Sequence, residues 1–201
     1  MPKPNSQLLV ISDGRSGLYR TLLSIWKLTC TSNLVTILCA PDKVSAIEKS
    51  IHTVTEDTSE SGPPYEILQC GGGWQKEILE ILRKIQFDLI GFIAERDMFL
   101  PSYSDLICGK VSPNQSYLST YRQRRKFGNS KVHSPVTFSE RIPISSLVLH
   151  RKDVTNFVHA AVFYQNFECY IPKALYNSRN TSDQGSVRVL IQSNTRSPYD
   201  L

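Results

Sequence analysis

The first half of the chain alternates continuous apolar runs with stretches in which apolar residues recur at helical spacing. Continuous runs are typical of strands that helices cover on both faces. They occupy residues 8–11, 34–39 and 87–93, with a shorter candidate at 65–68. Between them, apolar positions three or four residues apart predict helices that begin near Gly17, Val44 and Trp74. This order predicts an α/β fold: a mainly parallel sheet flanked by helices.

The segments outside this alternation are less regular. Residues 53–64 are rich in serine, threonine and acidic side chains and end in two prolines, which predicts a surface loop. Residues 142–149 form an apolar run that predicts a further strand. Residues 121–126 (YRQRRK) form a basic cluster whose simplest interpretation is a solvated helix end. The polar tail from residue 180 is expected to be partly disordered or to add an edge strand at 187–191.

A cluster of charge follows the most apolar run directly. Residues 87–93 are expected to form a central strand, and Glu95, Arg96 and Asp97 come just after it. Open α/β sheets bind ligands beyond the carboxyl ends of their strands. On an extended backbone, side chains two residues apart point the same way, so Glu95 and Asp97 could share a divalent cation bound to phosphates. The alternative is a solvated strand end with a local ion pair.

Composition and charge narrow the class of protein. With 201 residues, 40% of them hydrophobic and 20% charged, the chain is expected to fold as a single domain. The five cysteines are scattered without a Cys-x-x-Cys pair, which argues against a zinc site or a disulfide framework. No apolar run reaches the ~20 residues that span a bilayer, and the first residues lack a signal peptide's apolar core, so a cytoplasmic location is expected.

The net charge of +5 favours anionic partners such as nucleotide phosphates, or an acidic membrane face to which the protein would bind peripherally. Nucleic acid is a less suitable partner, because a binder that used the basic cluster at 121–126 would need a wider basic surface.

Four stretches of the chain, taken together and in order, resemble the family-2 inverting glycosyltransferases. Residues 11–26 (ISDGRSGLYRTLLSIW) are similar to the family's first strand, turn and helix, and residues 37–42 (ILCAPD) to its second strand with an acidic end. Residues 92–101 (FIAERDMFLP) align with the family's motif Phe-Leu-Asp-x-Asp-Asp-x-x-x-Pro. Residues 170–179 (YIPKALYNSR) resemble a late strand of the family. Residues 144–151 also match a family strand that ends in arginine.

The resemblance implies a GT-A-like, Rossmann-like fold over residues 1–179, followed by the tail at 180–201. It implies an enzyme that transfers a sugar with inversion from a nucleotide-sugar donor to a glycan or a lipid-linked acceptor. The donor would contact Asp13, Arg15, Asp42 and residues 95–97, and Glu168 would be the catalytic base.

The chain departs from the family's metal motif. Ala94 and Arg96 stand where the family has two aspartates, and Asp97 is the acid that remains. A bound Mn²⁺ or Mg²⁺ would therefore depend on Glu95 and Asp97, while Arg96 could supply part of the missing positive charge. The same departures leave open an alternative function, a catalytically inactive GT-A-like protein that binds a nucleotide or a protein partner.

Overall fold

A six-stranded mixed sheet is the centre of the computed structural model, with strand order β3-β2-β1-β4-β10-β6. The structure describes residues 5–28, 32–59, 61–100, 103–104, 116–118, 120–124, 130–133, 141–160, 163, 168–170 and 189–193. The four strands from β3 to β4 are parallel, and β10 and β6 complete the sheet with antiparallel pairings. The predicted α/β class, with a mostly parallel sheet and a central strand before the charged cluster, is confirmed.

The parallel strands are β1 (Ser6–Ile11), β2 (Leu34–Cys39), β3 (Tyr65–Gln69) and β4 (Leu89–Ala94). The helices are α1 (Leu18–Trp26), α2 (Val44–Thr58), α3 (Trp74–Arg83) and α4 (Val154–Ala160). The remaining strands are β5 (Met98–Phe99), β6 (Tyr117–Leu118), β7 (Thr120–Arg124), β8 (Ser130–His133), β9 (Arg141–Pro143), β10 (Leu147–His150), β11 (Glu168–Tyr170) and β12 (Val189–Ser193).

Helices cover the sheet on both faces and bury two separate apolar layers. Apolar side chains of α1 and α2, such as Leu22 and Ile47, pack on one face of the sheet. On the other face, α3 and α4 contribute side chains such as Ile78 and Phe157. Strand β4 is buried along its whole length, because it lies inside the sheet and between both layers. None of the described helices is long and apolar enough to cross a membrane.

Two predicted boundaries are wrong for physical reasons. Helix α2 continues to Thr58, through the first half of the expected loop, because buried Val54 extends the apolar stripe of Ile47 and Ile51. The helix ends at Ser59, whose φ of 55° is left-handed. The run at 142–149 is not one strand, since a 3₁₀ turn at Ile144–Ser146 separates β9 from β10.

The second half of the chain builds two smaller sheets. One pairs β11 with β9, and the other has the order β5-β12-β7-β8. The described part of the basic cluster, residues 121–124, belongs to strand β7 and not to a helix end, and residues 125–126 lie outside the described part. Strand β12 overlaps the predicted tail strand at 187–191 and pairs with both β5 and β7, while most of the tail lies outside the described residues.

Two hydrogen bonds through one hydroxyl tie the end of β4 to the 3₁₀ turn at Ile144–Ser146. The Ser145 hydroxyl accepts a bond from the backbone N–H of Ala94 at 2.9 Å and donates to Oδ2 of Asp97 at 2.6 Å. Asp97 is fully buried, so it is not part of a solvated strand end. Its carboxyl group therefore helps hold the central strand against the second half of the chain.

Replacing Asp97 should accordingly destabilise the fold. We expect Asp97→Ala to lower the free energy of unfolding by about 2 kcal/mol, because a buried hydrogen bond to a carboxyl group is lost. Asp42→Ala is the control, since the Asp42 side chain is 68% exposed and should change stability by less than about 0.5 kcal/mol. Denaturant unfolding of both variants measures the difference. Equal stability of Asp97→Ala and the parent would contradict the structural role.

Candidate functional site

The carboxyl ends of the parallel strands meet at one edge of the sheet. Backbone hydrogen bonds continue the pairing by one residue beyond each strand: Ser12 N–H to Leu38 O at 3.0 Å, and Cys70 N–H to Cys39 O at 2.7 Å. The N–H of Glu95 likewise donates to the Ile11 carbonyl at 2.8 Å. The loops that follow β1, β2, β3 and β4 therefore begin side by side, which is where open α/β sheets bind their ligands.

A cleft of about 360 Å³ opens beyond β1, β2 and β3. Its walls combine cations, backbone and apolar surface, and the lining residues are Ser12, Asp13, Gly14, Arg15, Leu38, Cys39, Ala40, Lys43, Cys70, Gly73 and Trp74. A pocket of this size with a few polar groups suits a small ligand. We call it the strand-end cleft.

Two of the predicted site residues line this cleft and a third lies beside it. Asp13 and Arg15 form a loose ion pair at 3.8 Å and are 47% and 63% exposed. Asp42 does not line the cleft; its carboxylate pairs with Lys43 Nζ at 2.9 Å. The hydrogen bond from Lys43 lowers the pKa of Asp42. Sequence reasoning missed Lys43, although its position next to Asp42 at the end of β2 could have shown it.

The turn after β1 packs closely on the loop after β2. Gly14 has a φ of 67°, and a Cβ added there would come within 2.9 Å of Lys43 Cβ. Glycine is therefore needed at this position both for its backbone conformation and for the close contact. The consequence is that Asp13 and Arg15 keep a fixed position relative to Lys43.

The charged cluster after β4 forms a tight turn. The N–H of Asp97 donates to the Ala94 carbonyl at 3.0 Å, and Arg96 has a φ of 81°. A positive φ at the third position is typical of a type II turn, where glycine is the usual residue. For a residue with a side chain, this conformation costs on the order of 1 kcal/mol. Such strain is common at functional sites.

The expected parallel carboxylates of Glu95 and Asp97 are wrong, because the turn breaks the extended backbone on which that expectation depended. Oε2 of Glu95 accepts hydrogen bonds from the Ser12 hydroxyl at 2.9 Å and from the Asp13 N–H at 2.8 Å. Asp97 instead bonds to Ser145. One carboxylate is thus bonded to the β1–α1 turn, and the other to the chain segment before β10.

This geometry does not fit a divalent cation that both carboxylates share. A hard cation that two carboxylates share needs their oxygens to converge on one point, with water or substrate phosphates as the other ligands. Among the described residues there is no group of three or more His, Cys, Asp or Glu side chains that could hold a metal ion. Glu95 is 5% exposed, and its Oε1 is buried without a hydrogen-bond partner in the described structure. Glu95 and Asp97 are thus held by different anchors, and metal binding by either residue stays a prediction.

Arg96 lies on the first turn of α1. A Cβ added to Gly17 would be 2.4 Å from Arg96 Cγ, so the arginine stem occupies the space that a side chain at this N-cap position would need. The N–H of Arg96 donates to Thr21 Oγ1 at 3.0 Å. Thr21 Oγ1 in turn donates to the carbonyl of Asp97 at 2.9 Å. Gly17 and Thr21 therefore position Arg96, and neither was singled out from the sequence.

The two cysteines of the strand-end cleft are not suited to nucleophilic chemistry. Burial raises the pKa of the Cys39 thiol, and burial raises the pKa of Cys70 to about 11. Both thiols are therefore protonated near neutral pH, and a protonated thiol is a poor nucleophile and a poor metal ligand. They contribute apolar wall to the cleft.

The predicted catalytic base lies in the second half of the chain. Glu168 is the first residue of β11, and its backbone pairs with Pro143 of β9. Its side chain lies outside the described part, so its role as a base stays a prediction. Helix α4, which precedes it, contains no acidic residue.

Several solved structures share the fold of this chain at low sequence identity. No protein-family model and no curated protein sequence matches the chain. Residues 1–349 of S. aureus TarS in complex with UDP-GlcNAc superpose with a TM-score of 0.63 at 11% identity, covering 96% of this chain and 59% of that one. The UDP complex of the same protein gives a TM-score of 0.61, again at 11% identity, over 95% of this chain and 60% of that one.

A mannosyltransferase, PcManGT from Pyrobaculum calidifontis in complex with GDP-Man and Mn²⁺, gives a TM-score of 0.53 at 10% identity. This match covers 78% of the present chain and 47% of the mannosyltransferase. The chain thus spans less than two thirds of the structures it matches. The likeness shows that the chain has an α/β fold shared with glycosyltransferase structures.

Proposed function

We propose that the chain is a glycosyltransferase that binds a nucleotide-sugar donor at the strand-end cleft and needs no divalent metal. It transfers the sugar, with inversion, to a hydroxyl group of a glycan or a lipid-linked acceptor. The observation that carries this proposal is the position of Arg96, held at a positive φ at the end of the central strand. The shared fold and the complexes of the similar structures with UDP-GlcNAc and GDP-Man support a nucleotide sugar as the ligand.

The electrostatics around Arg96 favour a diphosphate. The N-terminus of a helix carries a partial positive charge and favours anions such as phosphate groups. The Arg96 stem lies against Gly17 at the N-terminus of α1. A guanidinium group binds phosphate oxygens through two parallel hydrogen bonds. Arg96 and the helix end would together stabilise the diphosphate that departs during transfer.

The strand-end cleft next to this turn would hold the nucleoside. Its apolar wall, which includes Trp74 and Cys70, offers contact area to a base, and Asp13 and Asp42 are acceptors for base or ribose donors. Arg15 and Lys43 provide positive charge at the mouth of the cleft. Glu95 fixes the backbone of Asp13 and thereby the shape of this mouth.

Inverting transfer also requires a base. The acceptor oxygen forms a bond to the anomeric carbon while the bond from that carbon to the diphosphate oxygen breaks, and a carboxylate takes the acceptor's proton. Glu168 is our candidate for this carboxylate, on the basis of the sequence resemblance. The proposal predicts that donor turnover in the presence of acceptor is lost in Glu168→Gln while donor affinity stays within about twofold.

A second candidate function is nucleotide or partner-protein binding without catalysis, which the absence of acids from α4 favours. The turnover assay separates the two. Nucleotide-sugar binding without nucleoside diphosphate release, in the presence of glycan and lipid-linked acceptors, would support this second function.

Metal independence is tested by calorimetric titration with UDP-, GDP- and dTDP-sugars. We expect the parent to bind at least one donor equally well with Mn²⁺ and with a chelator, because Arg96 replaces the metal's charge. In Arg96→Asp, binding with chelator should weaken and Mn²⁺ should restore part of it, since a carboxylate at this position is a hard-cation ligand. A parent that requires Mn²⁺, or a variant indifferent to it, would reject this role of Arg96.

The strained turn gives a second test, in which stability and binding change in opposite directions. Glycine adopts a φ of 81° without strain, so Arg96→Gly should raise the free energy of unfolding by up to about 1 kcal/mol. The same variant should bind nucleoside diphosphate roughly 10- to 100-fold more weakly, because a charge-assisted contact is lost. Denaturant unfolding and titration with UDP and GDP measure the two effects.

Two further variants sharpen this test. Gly17→Ala leaves Arg96 in the sequence but displaces its stem, and it should also weaken nucleotide binding. Arg83→Gln removes an exposed arginine of α3 that pairs with Glu80, and it should bind as the parent does. If Arg83→Gln weakens binding as much as Arg96→Gly, the effect is one of net charge and our assignment is wrong.

A further inference from the structure

An apolar groove lies along the solvent side of α1, away from the residues that line the strand-end cleft. It has a volume of about 260 Å³ and is lined by Arg20, Leu23, Ser24, Lys27, Leu28, Met98, Phe99 and Leu100. The opposite side of α1 packs into the core through residues such as Leu22 and Ile25. Leu28 and Phe99 belong to the buried core and Leu23 packs against it, but Leu23, Met98 and Leu100 each keep part of their surface exposed.

The floor of this groove is packed, and the Ser24 hydroxyl within it is already hydrogen-bonded. Phe99 is buried and stacks on Tyr103 with a ring-centroid distance of 3.7 Å. The Ser24 hydroxyl accepts a bond from the Phe99 N–H at 3.1 Å and donates to the Thr21 carbonyl at 2.7 Å. What remains available to a ligand is the apolar surface of Leu23, Met98 and Leu100, which are each partly exposed.

Two cations stand at the ends of the groove. Arg20 lies in α1 and Lys27, seven residues later, is its C-cap residue, which places both on one side of the helix, about 10 Å apart along its axis. Both are exposed, and neither forms an ion pair within the part of the chain that the structure describes. Asp57 lies across a neighbouring cleft from Lys27, but its carboxylate accepts the Tyr19 hydroxyl at 2.6 Å.

We propose that this groove docks on an anionic membrane surface, with Arg20 and Lys27 at lipid headgroup phosphates and an acyl chain against Leu23 and Met98. Cations beside apolar surface match the chemistry of an anionic lipid, because long basic side chains reach the headgroups while apolar groups enter the acyl boundary. A free phosphate would use the cations but leave the apolar surface in water. The inference does not depend on the proposed sugar transfer.

Vesicle co-sedimentation tests the proposal with the intact chain. We expect binding to vesicles that contain phosphatidylglycerol, weak binding to vesicles of phosphatidylcholine alone, and a decrease on addition of salt. The double variant Arg20→Gln/Lys27→Gln should bind the anionic vesicles about thirtyfold more weakly, from the loss of two cations near the surface. Leu23→Ser keeps both cations and should still weaken binding, roughly three- to tenfold, through the lost apolar contact.

The matched control is Lys49→Gln/Lys84→Gln, which removes the same charge from exposed positions on α2 and beyond α3. It should bind anionic vesicles within about twofold of the parent. An equal loss in this control, equal binding to both kinds of vesicle, or no binding at all would overturn the proposal. So would full competition by glycerol phosphate, or sedimentation of the parent as a dimer that dissociates in Arg20→Gln/Lys27→Gln. Matching thermal unfolding of all variants establishes that each is folded.

Discussion

Three hydroxyl groups from separate parts of the chain hold the turn at 94–97, and the rest of the site depends on them. The Thr21 hydroxyl of α1 forms two hydrogen bonds with the backbone of the turn. It accepts one from the N–H of Arg96 and donates one to the carbonyl of Asp97. Ser12, just after β1, donates to the Glu95 carboxylate, and Ser145, just before β10, donates to that of Asp97. Because every residue of the turn has its own anchor, the surrounding structure can maintain the unfavourable φ of Arg96.

This constraint changes the chemistry available at the strand end. An acidic motif would concentrate negative charge there and require a cation between the protein and a diphosphate. Here the two remaining carboxylates are both buried and have different hydrogen-bond partners, and the exposed residue of the turn is an arginine beside a helix N-terminus. Under the proposed function, a diphosphate would contact protein donors directly, without a metal.

The sequence predicted those features that periodicity controls. Strand β2 has the expected limits and helix α1 the expected start, since each is one uninterrupted apolar pattern. Helix α2 is longer than predicted because Val54 is buried. The polar residues around this valine made the segment look like a loop. The directions of Glu95 and Asp97 could not be predicted, because they follow from a positive φ at Arg96, and arginine has no intrinsic preference for that conformation. Tertiary hydrogen bonds from residues 48 to 83 positions away along the chain decide it.

The most direct test of this account is a crystal structure of the chain with a nucleotide sugar and Mn²⁺, with anomalous diffraction used to locate manganese. We predict that the nucleoside occupies the strand-end cleft, that the Arg96 guanidinium lies within hydrogen-bonding distance of the diphosphate, and that no manganese peak lies between the phosphates and residues 95–97. A manganese peak bridging the diphosphate to Glu95 or Asp97, or a nucleotide bound elsewhere on the molecule, would contradict it.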